Sequence, residues 1–207
     1  MAHAIVIHEQ GGPEVMRFEE IAVGAPGPGE VRLRQTVVGL NYIDVYQRSG
    51  GYKLDLPASI GMEAAGIVEA VGEGVETVKV GDRVGYVMGT PGAYAEERIY
   101  PAERLIPLPD DISDEQAAGS MLKGLTVSYL VRRTFPVQAG QTVLLHAAAG
   151  GVGTIACHWL KKIGASVRWC ISAPPPAPHL RSTRNCWPAR RSTSPARASP
   201  RTRQRGR

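Results

Sequence analysis

The chain has 207 residues, 43% of them hydrophobic and 21% charged, with a formal net charge of +5. This length and composition fit one or two domains around a packed core, and no run approaches the ~20 apolar residues of a membrane span. The basic balance is confined to one end. Ten of the 24 Lys and Arg residues lie in 168–207, which holds no acid, and the other 14 face all 19 Asp and Glu residues. Residues 1–167 are therefore net acidic, which argues against a nucleic-acid footprint on that part.

No basic stretch followed by an apolar block opens the chain, so no export signal is expected. The three cysteines, Cys157, Cys170 and Cys186, form no C-x-x-C pair. That spacing argues against a disulfide framework or a zinc knuckle and points to a reducing cytoplasm.

Residues 1–110 read as β-rich. Short β-branched or apolar runs fall at 3–8, 31–38, 64–72, 82–87 and 94–100, separated by glycine- and proline-rich turns. Such a series predicts an antiparallel barrel or sandwich. Gly61, Gly66, Gly72, Gly81 and Asp82 read as turn and packing residues. Ser113 followed by Gln116 is a capping-box pattern and opens a helical stretch over 117–133. Residues 142–147 are a short apolar run, predicted as a strand buried on both faces. A glycine turn at 150–153 leads into a helix over 154–163, with Gly164 placed as its C-cap. Residues 165–167 start another strand, completing the opening βαβ unit of a parallel sheet.

Beyond residue 167 the pattern breaks. Residues 168–207 hold ten Arg and seven Pro, with Ile171 and Leu180 as the sole aliphatic side chains larger than alanine. Such a segment cannot bury enough apolar surface to order itself. One reading is a basic arm for nucleic acid; the other is out-of-frame translation of a GC-rich gene. Codon degeneracy favours the second. Read one base earlier, Asn185-Cys186-Trp187-Pro188 gives Leu-Leu-Ala after one undetermined position, and Trp169-Cys170 gives two apolar residues that extend the new strand. A frameshift near Val167 is the expectation, and nucleic-acid binding is not expected.

The most specific motif is Ala148-Ala149-Gly150-Gly151-Val152-Gly153, between a predicted strand and a predicted helix. It matches G-x-G-x-x-G with Ala148 in the first glycine position. Gly150 would admit a pyrophosphate close to the backbone, and Gly153 would let helix and strand pack tightly. The helix N-terminus would supply free N–H groups and a positive dipole end.

With this motif, four further segments carry a resemblance: Gly39-Leu40-Asn41-Tyr42-Ile43-Asp44-Val45-Tyr46, Gly61-Met62-Glu63-Ala64-Ala65-Gly66, Val80-Gly81-Asp82-Arg83-Val84, and Met121-Leu122-Lys123-Gly124-Leu125-Thr126. In this order they resemble the zinc-independent, zeta-crystallin-like NADPH:quinone oxidoreductases of the medium-chain dehydrogenase/reductase superfamily. The likeness runs over residues 3–167, about half of a family member's length.

The resemblance implies an α/β chain with a β-rich GroES-like catalytic domain at 1–125, the first βαβ portion of a Rossmann domain at 126–167, and a disordered tail at 168–207. It implies NADPH-dependent reduction of quinones or related conjugated carbonyls, in a cytoplasmic protein that forms a homo-oligomer when intact. An enoyl reductase of the same superfamily is one alternative; from another class, the alternatives are an impaired, non-functional fragment, expected to bind NADPH poorly as 207 residues, and a nucleic-acid binder acting through the Arg-rich tail. By the same resemblance Asn41, Tyr46, Lys123, Thr126, Ala148, Gly150, Gly151, Val152 and Gly153 would contact the cofactor, with Tyr42, Ile43 and Tyr52 at the substrate mouth. Each cleft residue also has a plain structural reading: Tyr42 and Tyr46 as core partners on one helical turn, Lys123 as a surface lysine, Asp44 as a turn cap.

Zinc-dependent relatives place Cys where Asn41 stands and His where Met62 stands. Neither amide nor thioether suits a catalytic zinc, so no metal is expected. His146, at a strand end expected to be buried, and His158 read as packed or surface residues. No catalytic acid is assigned, because a reduced quinone can take its proton from water. NADPH over NADH rests on the resemblance alone, since the discriminating position falls near residue 168.

Overall fold

The computed structural model describes residues 1–170. The expectation of an out-of-frame tail therefore lies, from residue 171 on, outside the described residues.

Two antiparallel sheets build the first part of the chain. Strand β1 (Ala2–Ile7) lies between β2 (Met16–Ile21) and the short β4 (Ala58–Ser59). The larger sheet has the order β7-β3-β5-β6-β8, from β3 (Glu30–Val38), β5 (Glu63–Val71), β6 (Arg83–Val87), β7 (Glu97–Pro101) and β8 (Ile106–Pro107). The period-two pattern of β3 sends Val31 and Leu33 into a core with Val68, Val84, Tyr86 and Tyr100. Each such aliphatic side chain, fully withdrawn from water, contributes roughly 1.5–3 kcal/mol. Tyr86 and Tyr100 stack with ring centroids 4.2 Å apart. Burial lifts the Tyr86 phenol to about 12, against the opposing Arg98 charge.

Strand β5 is covered on both faces. Its second face, through Ala65, packs on Ala117 and Ala118 of helix α2 (Asp114–Ser128). Small residues at all three positions let helix and sheet approach. The capping box is formed: the Gln116 N–H donates to Ser113 Oγ at 3.2 Å, and the Ser113 N–H donates to Gln116 Oε1 at 2.9 Å. The α-helix stops at Ser128, short of the expected end at 133. Residues Tyr129–Thr134 continue as a π-helical turn, and Pro136 bars further winding. The expected domain boundary at 125/126 falls inside α2, which touches both β5 and the helix that follows the glycine turn.

Helix α1 (Tyr42–Ser49) interrupts the β-rich part between β3 and β4. Gly61 and Gly81 take positive φ, 99° and 91°, and Asp82 Oδ2 accepts the Lys79 N–H at 2.9 Å.

The last described unit is β9 (Thr142–His146), α3 (Gly151–Ile163) and β10 (Ser166–Cys170), with β10 parallel to β9 in the register Val167↔Val143. Gly164 ends α3 in the left-handed region at φ 87°, and the Ala165 N–H returns to Leu160 O at 3.0 Å. Strand β10 runs three residues past the expected boundary at 167. The expectation that β9 is buried on both faces is corrected. Val143 and Leu145 face α2 and α3, but Leu144 is 64% exposed and His146 is exposed. Among the described residues both helices lie on one side of this two-stranded sheet, which leaves the other side bare. His158 is also exposed, with Nδ1 2.9 Å from Thr154 O.

Candidate functional site

The loop from β3 into α1 brings Asn41 to the start of the helix, 7% exposed. An N-cap asparagine usually turns its side chain onto the helix amides. Here Asp44, at the third position of the helix, supplies the reciprocal half of a capping box. Its Oδ2 accepts the Asn41 N–H at 2.9 Å, while the Asp44 N–H donates to Asn41 O at 3.0 Å. Asp44 Oδ2 also accepts the Tyr94 hydroxyl at 2.8 Å. Burial raises the Asp44 carboxyl above its ordinary range, opposed by the Asn41 amide, Tyr94 and the Lys123 charge.

The Asn41 side chain serves a polar cluster instead. Its Nδ2 donates to Glu63 Oε2 at 2.7 Å, and its Oδ1 accepts from Lys123 Nζ at 3.0 Å. Lys123 Nζ also donates to Leu40 O at 3.2 Å and lies 3.8 Å from Glu63 Oε2. Three segments far apart in sequence thus meet here: the β3–α1 loop, the first residue of β5 and the middle of α2. Lys123 is no ordinary surface lysine. Glu63 is fully buried, a role that the motif Gly61–Gly66 does not by itself announce. The available signal was a lone carboxylate between Met62 and the apolar residues 64–68.

The glycine turn lies against this cluster. A Cβ on Gly151 would fall 2.8 Å from Lys123 Cδ, so the lysine stem runs across the turn at a distance only glycine allows. At Gly153 a Cβ would fall 2.3 Å from Ala147 O, the close helix-to-strand packing expected there. Gly150 is the extended N-cap of α3, with no side-chain cap and no acid in the first turn. The N–H groups of Gly151, Val152 and Gly153 therefore open onto the positive end of a 13-residue helix. The left-handed residue of the turn is Ala147, at φ 52°, one position before the Ala148 aligned with the first glycine of the motif. This backbone fits a dinucleotide pyrophosphate: donors are uncapped, and side-chain bulk is absent where an anion would approach.

Tyr42, Tyr46 and Tyr52 form an edge-to-face series, with centroids 5.0 Å apart for Tyr42–Tyr46 and 5.8 Å for Tyr46–Tyr52. They are 55%, 43% and 55% exposed, so the alternative of core partners is set aside. Ile43 is half-buried beside them. Thr126 stands one turn beyond Lys123 on α2, its hydroxyl donating to Leu122 O at 2.8 Å. At the two positions where zinc-dependent relatives carry ligands, Asn41 is engaged as described, and Met62 Sδ accepts from Gln47 Nε2 at 3.2 Å. No helix among the described residues is long and apolar enough to cross a membrane.

Residues 27–110 match the family described as alcohol dehydrogenase GroES-like domain. The quinone oxidoreductase of Pseudomonas aeruginosa is 50% identical over 175 residues, covering 84% of this chain and 54% of that protein. The crystal structure of the Escherichia coli quinone oxidoreductase complexed with NADPH superposes with a TM-score of 0.79 at 46% identity, covering 81% of this chain and 52% of that one. Over about four fifths of its length the chain is therefore similar to quinone oxidoreductases, with a GroES-like domain of the alcohol dehydrogenase kind at 27–110. A 2-haloacrylate reductase from Burkholderia is 47% identical over 178 residues, 83% of this chain and 54% of that protein. The chain spans about half the length of these relatives. The matched GroES-like region, 27–110, contains both Asn41 and Glu63.

Proposed function

We propose that a protein of the relatives' length carrying these residues reduces quinones with NADPH, without a catalytic metal. One observation carries the reading: Lys123, tied to Asn41 and Glu63 in the catalytic part, lies directly over Gly151 of the dinucleotide turn. Bound NADPH would supply the hydride.

The chain's own residues would hold and orient the reactants. The open N–H groups of 151–153 and the α3 dipole would take the pyrophosphate. The Lys123 ammonium has three donors, of which Asn41 Oδ1 and Leu40 O use two. The third is free for a cofactor oxygen. Asn41, Tyr46 and Thr126 would line the same end. The rings of Tyr42 and Tyr52, with Ile43, would offer an apolar face to a flat quinone. No residue is assigned as a catalytic acid, since the reduced quinone takes its proton from water.

The metal-free reading rests on donor chemistry. A thioether and an amide, both already hydrogen-bonded, are poor ligands for a zinc ion that prefers thiolate, imidazole or carboxylate. The test is NADPH oxidation with 1,4-naphthoquinone before and after chelation. Unchanged turnover supports the reading, and a loss restored by zinc overturns it. Assembly as a homo-oligomer in the cytoplasm belongs to the same proposal, as does a lack of nucleic-acid and membrane partners.

The similarity to the 2-haloacrylate reductase favours a second reading, in which the acceptor is a conjugated carbonyl. Rates with naphthoquinone, 2-chloroacrylate and a crotonyl thioester, measured side by side, separate the two from each other and from an enoyl reductase.

A further inference from the structure

We propose that Glu63 is the positioning residue of this site, orienting the Asn41 amide and holding the Lys123 ammonium over the glycine turn. Glu63 is a fully buried carboxylate at the start of a strand whose neighbours Ala64 and Ala65 are themselves fully buried. Stability alone does not account for it, because buried charges seldom outperform apolar residues of the same volume. Its contacts are what single it out. Oε1 accepts the Leu122 N–H at 2.7 Å, an amide that in a regular helix would serve only the carbonyl four residues back. Oε2 accepts from Asn41 Nδ2 at 2.7 Å and faces Lys123 Nζ at 3.8 Å. A Cβ on Gly39 would fall 2.3 Å from Ala118 O and 2.5 Å from Oε2, so the loop runs close to both helix α2 and the carboxylate.

The chemistry fixes a direction. An ionised carboxylate only accepts and an ammonium only donates. Between them the Asn41 amide has one allowed orientation, NH2 toward Glu63 and oxygen toward Lys123. A glutamine at 63 breaks this order, because its NH2 can face Asn41 and release the amide to flip. The lysine then loses both its oriented acceptor and its counter-charge. Glu63 itself has no exposed surface and would act only through Asn41 and Lys123.

This inference rests on the cofactor reading for its purpose but not for its geometry, and the experiment separates the two. The full chain, its Glu63→Gln, Glu63→Asp, Asn41→Ala and Lys123→Met variants and the Glu63→Gln/Lys123→Met double variant are prepared, and those that keep Lys123 are labelled with an amine-reactive ester at one pH. Modification of Lys123 is read by mass spectrometry against exposed Lys53 and Lys79. NADPH dissociation constants are measured on the same samples. Glu63→Gln and Asn41→Ala should each raise relative Lys123 labelling about fivefold, the population change of one lost hydrogen bond, and Glu63→Asp should restore part of the protection. Glu63→Gln should weaken NADPH about tenfold, as expected for a charge-assisted contact, and add nothing in a Lys123→Met background.

Lys123 labelling that stays within twofold of wild type in Glu63→Gln and Asn41→Ala overturns the inference. So does a Glu63→Gln effect on NADPH that persists undiminished in Lys123→Met. If the 207-residue wild type and a protein of family length both show no NADPH binding while Lys123 labelling responds as stated, the cofactor reading falls and the positioning role of Glu63 stands.

Discussion

Gly153 and Gly119 both sit in helices, yet replacing each by alanine should move stability in opposite directions. In an unobstructed helix interior, Gly→Ala gains roughly 0.5–1 kcal/mol through backbone entropy and helix propensity. Gly119 is such a site: it is exposed on α2, and a Cβ there meets nothing within 4 Å. At Gly153 the added carbon would lie 2.3 Å from Ala147 O, 2.6 Å from Ala148 Cα and 2.7 Å from Ala148 C. All three are backbone atoms, so α3 must move away from the end of β9. Overpacking of this kind costs roughly 1–3 kcal/mol, which exceeds the propensity gain. Gly119→Ala should therefore raise the urea midpoint, and Gly153→Ala should lower it and weaken NADPH binding. Urea unfolding followed by circular dichroism is the assay. A Gly153→Ala variant as stable as wild type would refute the claim that this glycine exists for strand-to-helix contact.

Asp114 shows how pH should act. Thr36 Oγ1 donates to its Oδ2 at 2.6 Å, and Arg83 donates to Oδ1 from Nη2 at 2.7 Å and Nε at 3.1 Å. The Thr36 hydroxyl first, and then Arg83, hold this carboxyl below its usual range. Its stabilisation is thus complete above the ordinary aspartate value of about 4 and is lost as pH falls through the lower folded-state value. Asp114→Asn should cost roughly 1–2 kcal/mol at pH 7 and make the acid limb of a stability–pH curve shallower; an unchanged acid limb contradicts the assignment. Tyr46→Ala, at an exposed side chain, should shift stability by less than ~0.5 kcal/mol while weakening NADPH in a protein of family length. A stability loss well beyond that would return Tyr46 to the core. Lys123→Met should weaken NADPH about tenfold with little change in the KM for quinone, measured in a protein of family length.

Much of this arrangement was legible because its signals are local. The Ser113–Gln116 spacing, the Gly164 cap and the order of strand, glycine turn and helix each depend on residues within one turn of chain. The helix at Tyr42–Ser49 shows in the sequence only as one possible turn, since the four-residue spacing of Tyr42 and Tyr46 does not tell an exposed aromatic pair from a core-facing one. The bare face of β9 is hidden from the sequence for a related reason. An apolar run reports that a strand is suited to burial on two faces, not that both faces are covered. Glu63 escaped notice because its role depends on Asn41 and Lys123, 22 and 60 positions away. No period or spacing in the sequence connects the three.

Under the proposed function the glycine turn and the Asn41–Lys123 pair form one NADPH site. It is tested most directly by titrating NADPH, up to ~2 mM so that weak binding still registers, into isotopically labelled protein and following backbone amides by NMR. The largest shifts are expected at Gly151, Val152 and Gly153, accompanied in the same titration by Asn41 and Lys123. Shifts confined to other surfaces, or no response at 151–153, would contradict it.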